Sequence, residues 1–191
     1  MSKRIFDISF AFLALILLMP ILLVAYLMCC ADTRASGLFF QERIGLHGKT
    51  FRIIKFRSIN PRTMNISTFG SFMRSSKIDE LPQFINILIG EMSFVGPRPD
   101  LPGYYDLLRG NDRAVLLLKP GLTSEASIKY RNESVMLAKQ ADPLKYNDEV
   151  IFPDKVRMNL EYLRTSNVCY DVVIIIATVV PFFRKYLKNQ V

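Results

Sequence analysis

The stretch SSKIDELPQFINILIGEMSFVGPRPD, Ser75 to Asp100, sets two adjacent carboxylates, Asp79 and Glu80, ahead of an apolar helical pattern and closes on a rigid Pro-Arg-Pro. Leu81, Phe84, Ile85 and Leu88 recur at helical spacing, which predicts a helix with Ser75 or Ser76 as its cap. Pro82 lacks a backbone N–H and is accepted only in a first turn, which places Asp79 and Glu80 at the helix N-terminus. Free N–H groups and the macrodipole there favour negative charge and keep a carboxylate ionised. Acidic residues also start ordinary helices, and that is the plainer reading of the pair by itself. Pro97 fixes its own φ and Pro99 biases Arg98 toward extended geometry, so this guanidinium sits on a stiff backbone. Its planar fork suits two phosphate oxygens at once; the plainer alternative is a turn arginine bonded to a carbonyl.

Upstream, GLFFQERIGLHGKTFRIIKFRSI, Gly37 to Ile59, reads as a hairpin with its turn at Leu46 to Gly48 and basic residues alternating along the second strand. Lys55 and Arg57 are there either a solvated edge or a functional basic strip. His47, the only histidine, falls in the turn and reads as solvated. From Ile8 to Ala31 the chain is almost wholly apolar, longer than the roughly 7–15 apolar residues of a signal peptide and long enough to cover a roughly 30 Å hydrocarbon core. Pro20 near its middle frees the Ile16 carbonyl and predicts a kink. Basic residues flank both ends, so charge does not put those ends on opposite sides. A re-entrant helix and a kinked spanning helix both fit the composition.

Downstream, a helix is predicted from about Tyr104 to Leu118, then a Pro-Gly turn and an extended piece in which Lys129 and Arg131 share a side. Phe152 to Arg164 resumes helix, with Val156, Leu160 and Leu163 on one stripe. Val172 to Phe183 is apolar but too short to span, and is followed by basic RKYLK, 184–188; it fits a membrane interface or a core.

The 191 residues, half of them apolar, carry a net charge of +8, so anionic partners are expected: nucleic acid, an acidic membrane surface or phosphorylated small molecules. Cys29, Cys30 and Cys169 have neither disulfide-framework nor metal-ligand spacing, which fits a reducing compartment.

Taken together, KRIFD (3–7), FFQERIG (39–45), KFRS (55–58), RSSKIDELPQFINILIGEMSFVGPRP (74–99), KPGLTSEASIKYRNE (119–133) and YDVVIIIATV (170–179) resemble the bacterial sugar transferases, the monotopic phosphoglycosyl transferases. The resemblance covers almost the whole chain in the family's order. It implies an α+β, mainly α-helical fold: a re-entrant membrane helix over residues 1–34, then a catalytic domain over 35–191 with a small β-hairpin and several interfacial amphipathic helices. It further implies that Asp79 is a nucleophile toward the β-phosphate of a UDP-sugar, with Glu80 as partner acid and both associated with Mg2+. Lys55, Arg74, Arg98 and Arg131 fall on phosphate- and nucleotide-contact positions, and Pro20 on the membrane break. The implied acceptor is undecaprenyl phosphate, and the product an undecaprenyl-diphospho-sugar that begins glycan assembly. The implied setting is the cytoplasmic face of the bacterial inner membrane, among its lipids, with room for a homo-oligomer.

Two departures stand out. Met19 precedes Pro20 where the family often has Ser-Pro, so no hydroxyl serves the freed carbonyl. The segment Thr123 to Arg131 replaces the common TGLAQVNGR, bringing in Glu125 and Tyr130. The chain looks like a minimal catalytic unit. A nucleic-acid binder is disfavoured because the basic residues form no stripe and no binding motif occurs. A non-catalytic membrane scaffold, in which Asp79 and Glu80 only start a helix, is the alternative reading.

Overall fold

The computed structural model describes residues 2–187, so Lys188 of the basic run lies outside the described residues. The chain is mainly helical with two small two-stranded sheets and a long apolar N-terminal helix, an α+β arrangement. It divides into two compact units: Lys3–Arg43 with Thr50–Met92, and Ile44–Lys49 with the chain from Ser93 onward.

In the first unit, helix α1 (Ser2–Thr33) passes through Pro20 and is long and apolar enough to cross a membrane. Side chains along it, such as Leu17, Met19 and Leu23, are exposed. Near its C-terminal end Ala25 and Cys29 pack with Phe56 and Met73. At its other end Arg4 hydrogen-bonds the Ile87 and Leu88 carbonyls. Strands β1 (Leu38–Ile44) and β2 (Thr50–Phe56) pair as the predicted hairpin. Their connection is too short for a parallel crossover, so the pair is antiparallel. The turn at Leu46–Gly48 holds His47 exposed at φ 58°.

Helix α2 (Thr68–Ser75) is capped by Ser67, whose hydroxyl accepts from the Gly70 N–H and donates to Asp32 of α1. Ser75 and Ser76 therefore end a helix instead of starting one, contrary to the sequence expectation. A three-residue 3-10 turn, Ile78–Glu80, follows, and α3 (Gln83–Ile89) begins only after Pro82. The proline limit thus held, while the carboxylates sit one turn before the α-helix. The buried side of α3 also differs from the apolar stripe: Gln83, Phe84, Asn86 and Ile87 are buried, whereas Ile85 and Ile89 are exposed.

In the second unit, β3 (Ser93–Val95) and β4 (Gly121–Thr123) pair in parallel, Ser93 opposite Gly121 and Val95 opposite Thr123. The strands come so close that a Cβ on Gly96 would collide with the Lys119 carbonyl. Residues 104–118, expected as one α-helix, form 3-10 segments at Tyr105–Leu107 and Gly110–Leu117. Short helices α4 (Glu125–Lys129), α5 (Glu133–Leu137) and α6 (Pro143–Tyr146) follow, then α7 (Phe152–Thr165) and α8 (Val168–Val179). The expected extended piece carrying Lys129 and Arg131 is instead α4 and its end: the Ser124 hydroxyl accepts from the Ser127 N–H and starts a helix. Val156 packs with Ile44, Tyr105, Val115 and Leu116, and Leu160 lies against that cluster, as the stripe on α7 predicts. Tyr170, Asp171, Ile174 and Ala177 of α8 are buried, while Val179 and Phe182 beyond them are exposed.

Candidate active site

Lys77 adopts left-handed geometry (φ 62°), which ends α2 and turns the chain into the 3-10 segment. Ile78 then packs against the cluster of Ala25, Cys29, Phe56 and Met73, and this anchor draws the next two residues inward. Asp79 is 9% exposed and Glu80 7%. Glu80 Oε1 accepts a hydrogen bond from Lys55 Nζ at 3.1 Å, an ion pair shielded on both sides. Asp79 Oδ1 is buried with no hydrogen-bond partner in the protein. Leaving a buried polar atom unpaired costs about 1–3 kcal/mol, more for a charged group, so this oxygen is held against the fold's own preference.

Burial pushes the Asp79 carboxyl above its ordinary range, and the Glu80 charge adds to that rise; Lys55, Lys77 and Arg74 pull it back. The helix N-terminus expected to keep Asp79 ionised is absent, since α3 starts later. Basic side chains supply the compensation instead. An ionised carboxylate made more basic by its surroundings is a better nucleophile than an exposed one.

The first unit thus brings Lys55, Arg74, Asp79 and Glu80 together, and adds Lys77, which sequence reasoning missed; its signal was a cation two positions before the carboxylates. Arg74 is exposed in the last turn of α2. Arg98 and Arg131 belong to the second unit, and both are exposed. The backbone behind Arg98 is pinned twice: the Gly96 N–H donates to the Thr123 carbonyl and the Gly121 N–H to the Pro97 carbonyl. Lys129 is committed to Asp154 at 2.8 Å and Tyr130 to the same carboxylate.

Among the described residues no three His, Cys, Asp or Glu side chains form a metal-binding group. Mg2+ is commonly held by one or two carboxylates with water and substrate phosphate completing its shell. Asp79 and Glu80, with one buried carboxylate oxygen unpartnered, fit that donor set.

Residues 1–185 match the family model described as bacterial sugar transferase. An Escherichia coli strain K12 protein named UDP-glucose:undecaprenyl-phosphate glucose-1-phosphate transferase is 34% identical over 95% of this chain and 40% of its own length. A Sinorhizobium fredii exopolysaccharide production protein, ExoY, is 30% identical over 93% of this chain and 84% of its own. A Bacillus subtilis putative undecaprenyl-phosphate N-acetylgalactosaminyl 1-phosphate transferase is 36% identical over 52% and 63%. The chain therefore spans less than half of the Escherichia coli relative and most of ExoY.

Proposed function

The chain belongs to the bacterial sugar transferase family, and from that membership we propose that it moves a phosphosugar from a UDP-sugar to undecaprenyl phosphate at a membrane surface. One observation carries the reading: a buried, unpartnered Asp79 oxygen beside the Lys55–Glu80 pair, among Arg74 and Lys77. A capping carboxylate would spend its oxygens on backbone N–H groups. The Asp79 oxygen does not, which favours chemistry over the scaffold alternative.

In the proposed reaction the Asp79 carboxylate attacks the β-phosphorus of the UDP-sugar. The bond from that phosphorus to the bridging oxygen breaks, UMP departs, and an aspartyl phosphosugar remains. A phosphate oxygen of undecaprenyl phosphate then attacks the same phosphorus, the Asp79 carboxylate leaves, and undecaprenyl-diphospho-sugar forms. Phosphoryl transfer depends chiefly on positioning and charge neutralisation, so Lys55, Lys77 and Arg74 offset charge around the transferring group. Arg98, on its pinned backbone, and Arg131 are assigned to donor phosphate and nucleotide. Asp79 and Glu80 would hold Mg2+, which supplies further positive charge at the phosphates.

The donor is water-soluble and the acceptor lies in lipid, so the carboxylate must work at headgroup depth. We read α1 as re-entrant, entering and leaving the cytoplasmic face of the inner membrane around Pro20. Support comes from its two ends: Arg4 bonds α3, and Ala25 and Cys29 pack beside β2 and α2, all within one unit. A spanning helix would separate its ends by roughly 30 Å of hydrocarbon.

The test is purified protein with Mg2+, undecaprenyl phosphate and a panel of UDP-sugars including UDP-glucose and UDP-N-acetylgalactosamine, read by UMP release. No release from folded protein with any donor would favour the scaffold.

A further inference from the structure

Asn86 is a polar residue inside the apolar run FINILI, yet it is fully buried, 0% exposed. Its Oδ1 accepts from the Ile54 N–H at 3.0 Å, and its Nδ2 donates to the Arg52 carbonyl at 2.8 Å and to Glu91 Oε2 at 2.7 Å. Arg52 and Ile54 are alternate residues of one strand, so this carbonyl and this N–H point to the same edge. A neighbouring strand would normally fill that edge; here one side-chain amide does so. A carboxylate only accepts, so Glu91 also fixes which end of the amide is which.

We infer that Asn86 is a positioning residue: its amide serves as a surrogate strand on β2 and sets the register that brings Lys55 to Glu80 and to the neighbouring Asp79. This rests on the function proposed above. Glu80 and Asn86 lie six positions apart on one continuous segment, and both reach β2, Glu80 through Lys55 and Asn86 through the backbone on either side of Ile53. A one-residue slip of β2 would turn Lys55 to the opposite face and present Ile54 in its place. The ion pair alone does not prevent that, because a lysine stem is flexible. Two backbone hydrogen bonds to a rigid amide do.

The experiment combines a double-mutant cycle with amide exchange. Asn86→Ala should lower UMP release roughly tenfold in the wild-type background and by no more than about twofold when Lys55 is already Met, because coupled residues are non-additive. Hydrogen exchange should find the Ile54 amide protected in the wild type and exposed in Asn86→Ala, with the rest of the hairpin unchanged. Glu91→Ala, which leaves both β2 contacts in place, is the second variant should Asn86→Ala not fold, and should give a smaller loss with the same dependence on Lys55. Equal losses in both Lys55 backgrounds, or an unprotected Ile54 amide in the wild type, would overturn the inference. Wild-type protein that releases no UMP would instead overturn the proposed function, a separate outcome because exchange needs no donor.

Discussion

Arg4 closes the C-terminal end of the helix that ends near Leu88: its guanidinium donates to the Ile87 carbonyl at 2.5 Å and to the Leu88 carbonyl at 2.8 Å. The last carbonyls of a helix have no partner within it and carry its negative end, so a two-pronged cation satisfies both needs. Arg4→Ala should destabilise the fold by about 2 kcal/mol, the scale of hydrogen bonds to a charged group. Arg4→Lys should recover only part, since an ammonium lacks the fork. Denaturant unfolding in matched detergent measures both.

Asp79→Asn should abolish UMP release and the covalent adduct seen by mass analysis of protein incubated with its donor. Glu80→Gln should cut turnover severely, since Lys55 would lose its charged partner at a site where both side chains are mostly hidden. Most of the activity surviving in Asp79→Asn would remove the covalent route.

The raised Asp79 carboxyl gives a stability prediction of opposite sign to the activity. A carboxyl whose folded-state pKa exceeds its unfolded value binds protons more readily when folded, so the ionised group penalises the fold at neutral pH. Asp79→Asn should therefore unfold at a higher temperature than wild type at pH 7. The advantage should shrink as pH falls through the raised folded-state pKa and be gone below about 4, where the unfolded carboxyl also protonates. Thermal unfolding at both pH values checks the sign.

Asp154 behaves in the reverse sense. Burial raises its carboxyl, but hydrogen bonds from Lys129, Arg157 and Tyr130 outweigh burial and hold it down at about 2. A depressed carboxyl stabilises the fold above its unfolded pKa and loses that contribution as pH falls through the folded one. The stability gap between wild type and Asp154→Asn should be full at pH 7, no more than about 1 kcal/mol because solvent screens the pair, and close between roughly pH 4 and pH 2.

Single cysteines placed before Ile5 and after Ala31 should label from the same side of the membrane if α1 is re-entrant. Labelling from opposite sides would make it a spanning helix.

Much of this was legible in the sequence. Alternating residues around LHGK announced the hairpin, and the Val156 stripe announced α7, because both patterns are local. Pro82 marked where α3 starts. The local turn before it was not legible: left-handed Lys77 and the 3-10 geometry of Ile78–Glu80 follow from Ile78 docking on α1, β2 and α2, partners distant in sequence. Asn86 defeated the apolar pattern for the same reason, since what it satisfies is a strand backbone more than thirty residues away. Of the candidate site, Lys55, Arg74, Asp79 and Glu80 were named from the sequence and lie together in the first unit, but the burial that raises Asp79 was not legible, and the expected helix-dipole stabilisation proved misplaced.

Docking both ends of α1 on later parts of the chain dictates an order of biogenesis. Arg4 leaves the ribosome before Leu88 exists; at about 5–20 residues per second the interval is roughly 4–17 s. During that time the exposed apolar flank of α1 lacks the later surfaces it docks on, and on the proposed function lipid receives it first. On the proposed function, the carboxylate turn then assembles against a helix that is already seated, and its depth is set by the bilayer.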